Sequence, residues 1–307
     1  MLDGFGRKIS YLRLSVTDRC HLNCRYCVPS GKRKYIDDEK ILAYDEIGRI
    51  VNLFRKLGIG KIRLTGGDPL VRSGIFDFLE TIDRSDVYLT TKLAHPDLDI
   101  EKLNVLNLAG INLSCDSLKP DRYASITGGG DMNVFLKNVE RLKNRNIKLN
   151  VVAMKGFNDG EILDFISFGK ERSITVRFIE KMDIIKDSLL SFPLEEMKKN
   201  LVERKIISAS GRRCSGSPAV YHSISNGTGR VGFIAPDSEP FCTSCNRIRI
   251  KADGGMKLCF YGASYSIREM LKHDDSRAMD CIRKLVFFKP ESSARIEEKE
   301  PLYAFGG

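Results

Sequence analysis

The chain has 307 residues, of which 42% are hydrophobic and 29% charged, and its formal net charge at pH 7 is +10. This composition is typical of a globular protein with an ample core, and there is no apolar run of about 18 residues, the length that a membrane span requires. The first residues, MLDGFGRKIS, lack the apolar segment of a secretory signal, so we expect a cytoplasmic protein with no membrane partner. The positive charge suits an anionic partner, although it is dispersed along the chain.

Short β-rich segments alternate with helical patterns over the first two thirds of the chain. The hydrophobic pattern predicts strands at 11–16, 61–65, 86–90, 110–115, 147–154 and 174–180. It predicts helices at 45–57, 74–83, 131–145 and 159–171, and Gly58 is placed to end the first of them. Six strands that alternate with helices predict an α/β fold with a parallel sheet of right-handed βαβ units. In a barrel-like arrangement of this kind, functional residues lie on the loops that follow the strands.

The sequence changes in character after about residue 205. Residues 208–233 are rich in Gly and Ser and predict loops with short hairpins. Helical patterns return at 264–272 and 275–288. We therefore divide the chain into a first region, 1–205, and a C-terminal region, 206–307.

Three cysteines with C-x3-C-x2-C spacing, Cys20, Cys24 and Cys27, follow the first predicted strand. Cysteine thiolates hold iron–sulfur clusters, and a [4Fe–4S] cluster normally takes four of them. Three ligands would leave one iron open to an exogenous molecule. The alternative is a zinc knuckle that His21 or a distant cysteine completes.

The segment LTGGDPL, residues 64–70, follows the second predicted strand. Gly66 and Gly67 have no side chains and would let a ligand approach the backbone closely. The alternative is an ordinary glycine-rich turn before a helix, with Pro69 near the helix start.

A second group of three cysteines, Cys242, Cys245 and Cys259, has C-x2-C-x13-C spacing. A second [4Fe–4S] cluster with an open iron fits three ligands. A zinc site completed by Cys214 or Cys281 is the alternative, and Cys214, Cys281 and Cys115 otherwise read as structural thiols.

The spacing of the first cysteine group is that of the radical S-adenosylmethionine (SAM) superfamily, and GGDP resembles its Gly-Gly-Glu-Pro motif with Asp68 in place of Glu. LRLSVTDRC, IRLTGGDPL, VRFIEKM, GFIAP, FCTSCNRIR and the terminal FGG follow in order between Arg13 and Gly307. In this combination of motifs the chain resembles the GTP 3′,8-cyclase family of molybdenum-cofactor biosynthesis.

The resemblance implies a partial (β/α)6 radical SAM barrel with a C-terminal extension that carries a second cluster. It implies SAM and two [4Fe–4S] clusters as cofactors, and GTP as the substrate. The adenosyl radical would take hydrogen from ribose C3′, and C3′ would attack guanine C8 to give (8S)-3′,8-cyclo-7,8-dihydroguanosine 5′-triphosphate. The second cluster's open iron would ligate the guanine base. A reductant protein, cyclic pyranopterin monophosphate synthase as recipient of the product, and a second copy of the chain are the implied partners.

The resemblance also assigns residues, position by position. The implied cluster ligands are Cys20, Cys24, Cys27, Cys242, Cys245 and Cys259, of which the first three generate the radical. The implied SAM contacts are Tyr26, Gly67, Ser114 and Met182. The implied GTP contacts are Arg13, Arg63, Thr90, Lys148, Arg247 and Arg249, the last two also placing the substrate for catalysis. Gly306 and Gly307 would reach into the active site. Arginine suits phosphate oxygens, and no P-loop motif is present to hold them otherwise.

The chain departs from the family pattern at three positions. Lys92 stands at a usual Asn, Cys115 at a usual Leu and Lys181 at a usual Phe. None is an implied ligand, but Lys92 would alter the loop near the nucleotide.

Two other functions remain open at this stage. One is a peptide-modifying radical SAM enzyme, a class that usually carries more auxiliary cysteines and lacks CNRIR and a terminal Gly-Gly. The other is a zinc-bearing module that binds nucleic acid, which the dispersed basic residues do not favour, so we expect no nucleic-acid partner.

Overall fold

The computed structural model describes residues 1–28, 31, 33–144, 146–182, 190–214, 216–225 and 229–292. Its strands are β1 (Tyr11–Ser15), β2 (Lys61–Thr65), β3 (Val87–Thr91), β4 (Gly110–Ser114), β5 (Ile147–Lys155), β6 (Thr175–Glu180), β7 (Leu190–Ser191), β8 (Arg212–Arg213), β9 (Val220–Ser223), β10 (Arg230–Ile234), β11 (Arg247–Ile250), β12 (Gly255–Lys257) and β13 (Ser264–Ser266). Its α-helices are α1 (Tyr44–Lys56), α2 (Ile75–Thr81), α3 (Ile100–Val105), α4 (Pro120–Thr127), α5 (Met132–Arg141), α6 (Ile162–Glu171), α7 (Leu194–Glu203), α8 (Ile267–Leu271) and α9 (Asp275–Phe287).

Strands β1 to β6 lie side by side in chain order, and each pairs with the next in parallel. At least one helix separates each strand of this series from the next, so the α/β prediction and all six predicted strands are confirmed. The four helices predicted between these strands correspond to α1, α2, α5 and α6, and the helical patterns at 264–272 and 275–288 correspond to α8 and α9. The short helices α3 and α4 were not predicted, because six to eight residues carry too little periodicity to stand out.

The C-terminal region contributes strands to the same sheet. Strand β10 pairs in parallel with β6, and β11 pairs in parallel with β1, so this region extends both edges of the six-stranded series. Strands β9 and β8 continue one edge and β12 and β13 the other, in antiparallel pairs. The short hairpins expected in residues 208–233 are present as the β8–β9 and β9–β10 pairs, but the parallel pairing of β10 with β6 was not predicted. A division of the chain at residue 205 remains a prediction.

The sequence of helix α1 accounts for both its buried face and its end. Ile47, Ile50, Val51 and Phe54 recur on one face and are buried against the sheet. Gly58 follows the helix with a φ of 87°, a conformation that favours glycine, and so ends it as predicted.

Three aromatic rings join the barrel to the C-terminal region. Phe178 of β6 is 1% exposed, and its ring centroid lies 6.3 Å from that of Phe165 in α6 and 6.1 Å from that of Phe233 in β10. These pairs lie at distances where aromatic contacts stabilise a core. Within the described residues, none of the helices is both long and apolar enough to span a bilayer.

The loop after β1, which carries the first cysteine group, packs directly on the loop after β2. The backbone N–H of Gly67 donates to the Thr17 carbonyl at 2.9 Å, and that of Asp68 donates to the Arg19 carbonyl at 2.8 Å. A Cβ on Gly67 would lie 2.1 Å from the Arg19 carbonyl oxygen, and one on Gly66 would lie 2.5 Å from that of Thr17. These glycines make room for the cysteine loop, and because both also line the cavity described below, their predicted approach by a ligand stays a prediction.

We expect Gly67→Ala to lower the free energy of unfolding of the cluster-free protein by about 1–3 kcal/mol, because the added methyl group overlaps backbone that cannot yield locally. Urea denaturation measures this. Gly160→Ala is the matched control, since nothing lies within 4 Å of its added Cβ. Equal stability of the two variants would contradict the packing described here.

Candidate active site

One cavity of about 750 Å³ runs inside the sheet, and it collects the predicted site residues. Every one of them that lies within the described part of the chain lines this cavity: Cys20, Cys24, Cys27, Tyr26, Gly67, Ser114, Met182, Arg13, Arg63, Thr90, Lys148, Arg247, Arg249, Cys242, Cys245 and Cys259. Gly306 and Gly307 lie outside the described residues. Residues as remote in the sequence as Arg13 and Cys259 therefore face a common space.

The first cysteine group lies in a largely buried part of the cavity wall. Cys24 is 4% exposed, and its carbonyl accepts from the N–H groups of Cys27 and Val28 at 2.9 and 2.8 Å, which fixes a tight turn. Burial raises the pKa of Cys20 to about 11 and that of Cys27 to about 12, and it also raises the pKa of Cys24. Without a metal these thiols are protonated, so the iron of a cluster would have to displace their protons.

The second cysteine group lies among positive charges. Cys242 and Cys245 flank a single 3-10 turn, where the N–H of Cys245 donates to the Cys242 carbonyl at 3.1 Å. Burial raises the pKa of Cys245, but the charges of Lys289, Arg247 and Arg249 outweigh it and lower the pKa overall. The two groups thus have opposite electrostatic surroundings, although they share one cavity.

Both groups fit a cluster in donor chemistry, because each presents three thiols to a common space and no carboxylate completes either set. Among the residues the structure describes, no three His, Cys, Asp or Glu side chains converge closely enough to hold a single metal ion. A four-iron cluster does not require such convergence, since each thiolate binds a different iron. The proposed zinc ligand His21 instead meets the ring of His95 edge-on, with 5.3 Å between the centroids.

The other cysteines take different positions. Cys214 is exposed and lies on the cavity rim. Cys115 is buried, and its thiol donates to the Ser117 carbonyl at 3.0 Å. Cys281 lies on α9 and packs against the hydrophobic core. Of these three cysteines, Cys214 alone lines the cavity.

The loop ends near the first cysteine group are held by two buried carboxylates. Asp68 accepts from the Thr91 hydroxyl at 2.9 Å and from the backbone N–H of Lys92 at 2.8 Å. Asp116 accepts from the Tyr26 hydroxyl at 2.7 Å. Asp68, the departure from Glu in the resembled motif, therefore ties the loop after β2 to the end of β3.

The strand register produces a row of arginines. In the parallel pairs of β11, β1 and β2, Arg249 is opposite Arg13, and Arg13 is opposite Arg63. Arg63 is 2% exposed, and its guanidinium donates to the Tyr11 hydroxyl at 2.6 Å and to the Thr90 hydroxyl at 3.3 Å. Arg13 and Arg63 both face the cavity.

The cavity is strongly positive. Among the described residues, its lining includes twelve lysines and arginines but three carboxylates. Burial and four neighbouring cations lower the pKa of Lys148 to about 8. Those cations are Arg177, Lys61, Arg63 and Arg230. Like charges held this close together favour an anionic ligand of several charges.

Sequence reasoning missed three of these cations, namely Lys61, Arg177 and Arg230. Lys61 precedes Arg63 by two residues in β2, so strand alternation puts it on the same face. Arg177 is opposite Asn150 in the β5–β6 pair and donates to that side chain at 2.6 Å. Alternation signalled Lys61, whereas Arg177 and Arg230 needed the three-dimensional register.

Comparison with known families matches nearly the whole chain. Residues 14–169 match the Radical SAM superfamily, and residues 174–294 match the family described as Molybdenum Cofactor Synthesis C. A curated GTP 3′,8-cyclase of Clostridium perfringens is 36% identical, with 100% of both chains covered. Those of Alkaliphilus oremlandii and Syntrophomonas wolfei are 37% and 38% identical, covering 95% and 90% of this chain and 93% and 88% of theirs.

Solved structures show the same fold at much lower identity. Streptococcus suis SuiB bound to S-adenosylmethionine superposes with a TM-score of 0.64 at 14% identity, covering 98% of this chain and 72% of that one. The same enzyme bound to its precursor peptide SuiA gives a TM-score of 0.66 at 13% identity, covering 98% and 71%. The likeness to SuiB supports the fold alone. On the full-length matches, the chain belongs to the GTP 3′,8-cyclase family of radical SAM enzymes.

Proposed function

We propose that the chain converts GTP to (8S)-3′,8-cyclo-7,8-dihydroguanosine 5′-triphosphate for molybdenum-cofactor biosynthesis. The observation that carries the proposal is the single cavity, which presents two groups of three thiols and a large excess of positive charge to one space. A reaction between a SAM-derived radical and a nucleotide requires this proximity, because both molecules must be held within reach of each other.

The first cysteine group, Cys20, Cys24 and Cys27, would hold the cluster that binds SAM, and Cys242, Cys245 and Cys259 the second. When bound, the first cluster supplies the electron for reductive cleavage of SAM. Around it, the hydroxyl of Tyr26, the backbone of Gly67 and the side chains of Ser114 and Met182 would contact SAM. Tyr26 is already held by its hydrogen bond to Asp116.

The triphosphate would lie on the cationic wall. Arg13, Arg63, Lys148 and the unpredicted Lys61 and Arg177 come from strands β1, β2, β5 and β6, which surround that part of the cavity. Because Arg63 is fixed by Tyr11 and Thr90, its guanidinium would meet a phosphate without losing further side-chain freedom. Arg247 and Arg249 lie on β11, between Cys245 and Cys259 in the sequence. They would orient the nucleotide toward the second cysteine group.

The position inside the sheet also explains how side reactions would be limited. A radical reacts with its nearest neighbour, so the walls must be close and the solvent excluded. The cavity lies inside the sheet, and its lining includes apolar residues such as Leu22, Val152 and Ile179. The chain's own residues would thus hold, orient and shield the reactants.

Further parts of the proposal concern partners. A reductant protein would deliver electrons, a second copy of the chain would form a homodimer, and cyclic pyranopterin monophosphate synthase would receive the product in the cytoplasm. Gly306 and Gly307 would approach the substrate from the chain end. These parts are supported only by the family relationship.

Iron stoichiometry tests the two-cluster assignment. We expect about eight iron atoms per chain after anaerobic reconstitution, and about four in both C24S and C245S, because each substitution removes a ligand from one cluster. Cys281→Ser is the matched control and should keep about eight. Zinc in place of iron, or unchanged iron content in C245S, would contradict the assignment.

The cationic wall predicts a pH dependence for GTP binding. The pKa of Lys148 is about 8 in the free protein, so its positive charge is present at pH 7 and mostly absent at pH 9. We expect affinity for GTP to fall about tenfold over this range, since a bound anion favours the protonated lysine. Isothermal titration of cluster-loaded protein without SAM measures it.

In Lys148→Met the affinity at pH 7 should be about tenfold lower, and the fall toward pH 9 should be smaller than in the wild type. Lys155→Met, an exposed position on the same strand, is the control and should behave as the wild type. The assignment of Lys148 to the triphosphate fails if K148M and wild type show the same pH profile.

A further inference from the structure

Lys92 reaches from the loop after β3 into the wall beside the first cysteine group. Its backbone N–H donates to Asp68 at 2.8 Å, which fixes the position of the residue. Its ammonium lies 3.1 Å from a carboxylate oxygen of Asp116 and 3.1 Å from the Tyr26 hydroxyl. The Lys92 side chain is 12% exposed and that of Asp116 is 1% exposed, so the pair is largely withdrawn from water.

These three side chains form a closed set. Tyr26 donates to the same Asp116 oxygen at 2.7 Å, and the other oxygen of Asp116 accepts from the backbone N–H of Val152 at 2.9 Å. Tyr26 precedes Cys27 in the sequence, so the set is anchored in the cysteine loop itself. A substitution of any of the three side chains would therefore change the charge and the hydrogen bonding beside the cysteine thiols.

The charges of the pair act on Cys24 in opposite directions. The ammonium of Lys92 and the carboxylate of Asp116 both lie near the Cys24 thiol and carry opposite charges. Lys92 therefore offsets the negative charge of Asp116 at the position of a cluster ligand. An asparagine at position 92 could donate a hydrogen bond but could not supply this charge.

We propose that Lys92 is a positioning residue that sets the charge around the first cluster, holding Tyr26 and Asp116 in place and raising the cluster's reduction potential. The inference rests on the proposed assignment of Cys20, Cys24 and Cys27 to that cluster. Reduction adds one electron, which an external donor supplies, and hence one negative charge. A buried ammonium stabilises the reduced form more than the oxidised form, and cluster potentials respond to nearby charge and hydrogen bonds in this way.

The structure places the Lys92 side chain at a different part of the site from the one that the sequence suggested. The departure at position 92 pointed to the loop near the nucleotide, whereas the side chain contacts Tyr26 and Asp116. A substitution here should therefore alter the first cluster and leave the second unchanged. The second cluster therefore serves as an internal reference when the potential of the first is measured.

The test is a redox titration, followed by electron paramagnetic resonance, of full-length reconstituted protein. The signal that changes when SAM is added identifies the first cluster. The variants are Lys92→Met and Lys92→Asn, which remove the charge, and Lys92→Arg, which keeps it. Lys119→Met is the matched control, because Lys119 is exposed on the loop that follows β4, beyond Asp116. Thermal unfolding of the cluster-free proteins shows whether each variant folds.

We expect a lower midpoint potential of the first cluster in K92M and K92N, and wild-type values in K92R and K119M. The second cluster should keep its potential in all four. If K92M fails to retain iron, K92N carries the comparison, since asparagine removes the charge but keeps a polar side chain that can donate a hydrogen bond.

Two outcomes would overturn the proposal, and they are distinguishable. Equal first-cluster potentials in loaded wild type and K92N would mean that Lys92 only neutralises Asp116 structurally, and the proposed function would stand. A wild-type protein without a SAM-responsive cluster would overturn the proposed function and this inference with it.

Discussion

The accumulation of positive charge inside the sheet is the constraint on which the site depends. Parallel register puts Arg249, Arg13 and Arg63 in one row, and strand alternation turns that row toward the cavity. Like charges this close oppose folding of the unliganded chain, as the lowered pKa of Lys148 indicates. The fold tolerates the arrangement because a large aliphatic and aromatic core surrounds it. An anion with several charges relieves the repulsion when it binds. The repulsion in the free protein therefore favours the binding of multiply charged anions over neutral ligands.

The same cavity holds two cysteine groups in contrasting surroundings. Near Cys24, burial is the largest influence on the thiol, and Lys92 and Asp116 act on it with opposite charges. Near Cys245, the positive charges of Lys289 and two arginines outweigh burial. A cluster in the first place would lie beside charges of both signs, and one in the second beside positive charges. This difference would suit the two proposed tasks, electron delivery to SAM at one side and substrate binding at the other.

The C-terminal region completes this cavity rather than sitting beside it. Strand β11 carries Arg247 and Arg249 and pairs with β1, directly after which the first cysteine loop begins. Arg7 strengthens the connection, because its guanidinium donates to the Cys242 carbonyl at 2.7 Å and pairs with Asp3 at 2.6 Å. The second cysteine group is thus positioned by the first residues of the chain.

Much of this was predictable from the sequence, and the exceptions have physical causes. Periodicity located β1 to β6 because each strand is short, apolar and bounded by turns. The parallel pairings of β10 with β6 and of β11 with β1 were not predicted, because these partners are remote in sequence and no local pattern encodes such a pairing. The six cysteines were identified by spacing, whereas Arg177 and Arg230 carry no motif and are recognisable only from the register. Gly66 and Gly67 were predicted to let a ligand approach, and the structure adds that they pack against the backbone of Thr17 and Arg19, which no local pattern encodes.

The central claim is that a radical formed at the first cysteine group meets GTP in this cavity. The most direct measurement uses reduced, cluster-loaded protein with SAM and GTP deuterated at C3′, and follows deuterium in 5′-deoxyadenosine by mass spectrometry. We predict that deuterium appears in 5′-deoxyadenosine and that its formation depends on GTP. Formation of unlabelled 5′-deoxyadenosine at the same rate with and without GTP would contradict the claim and point to another substrate.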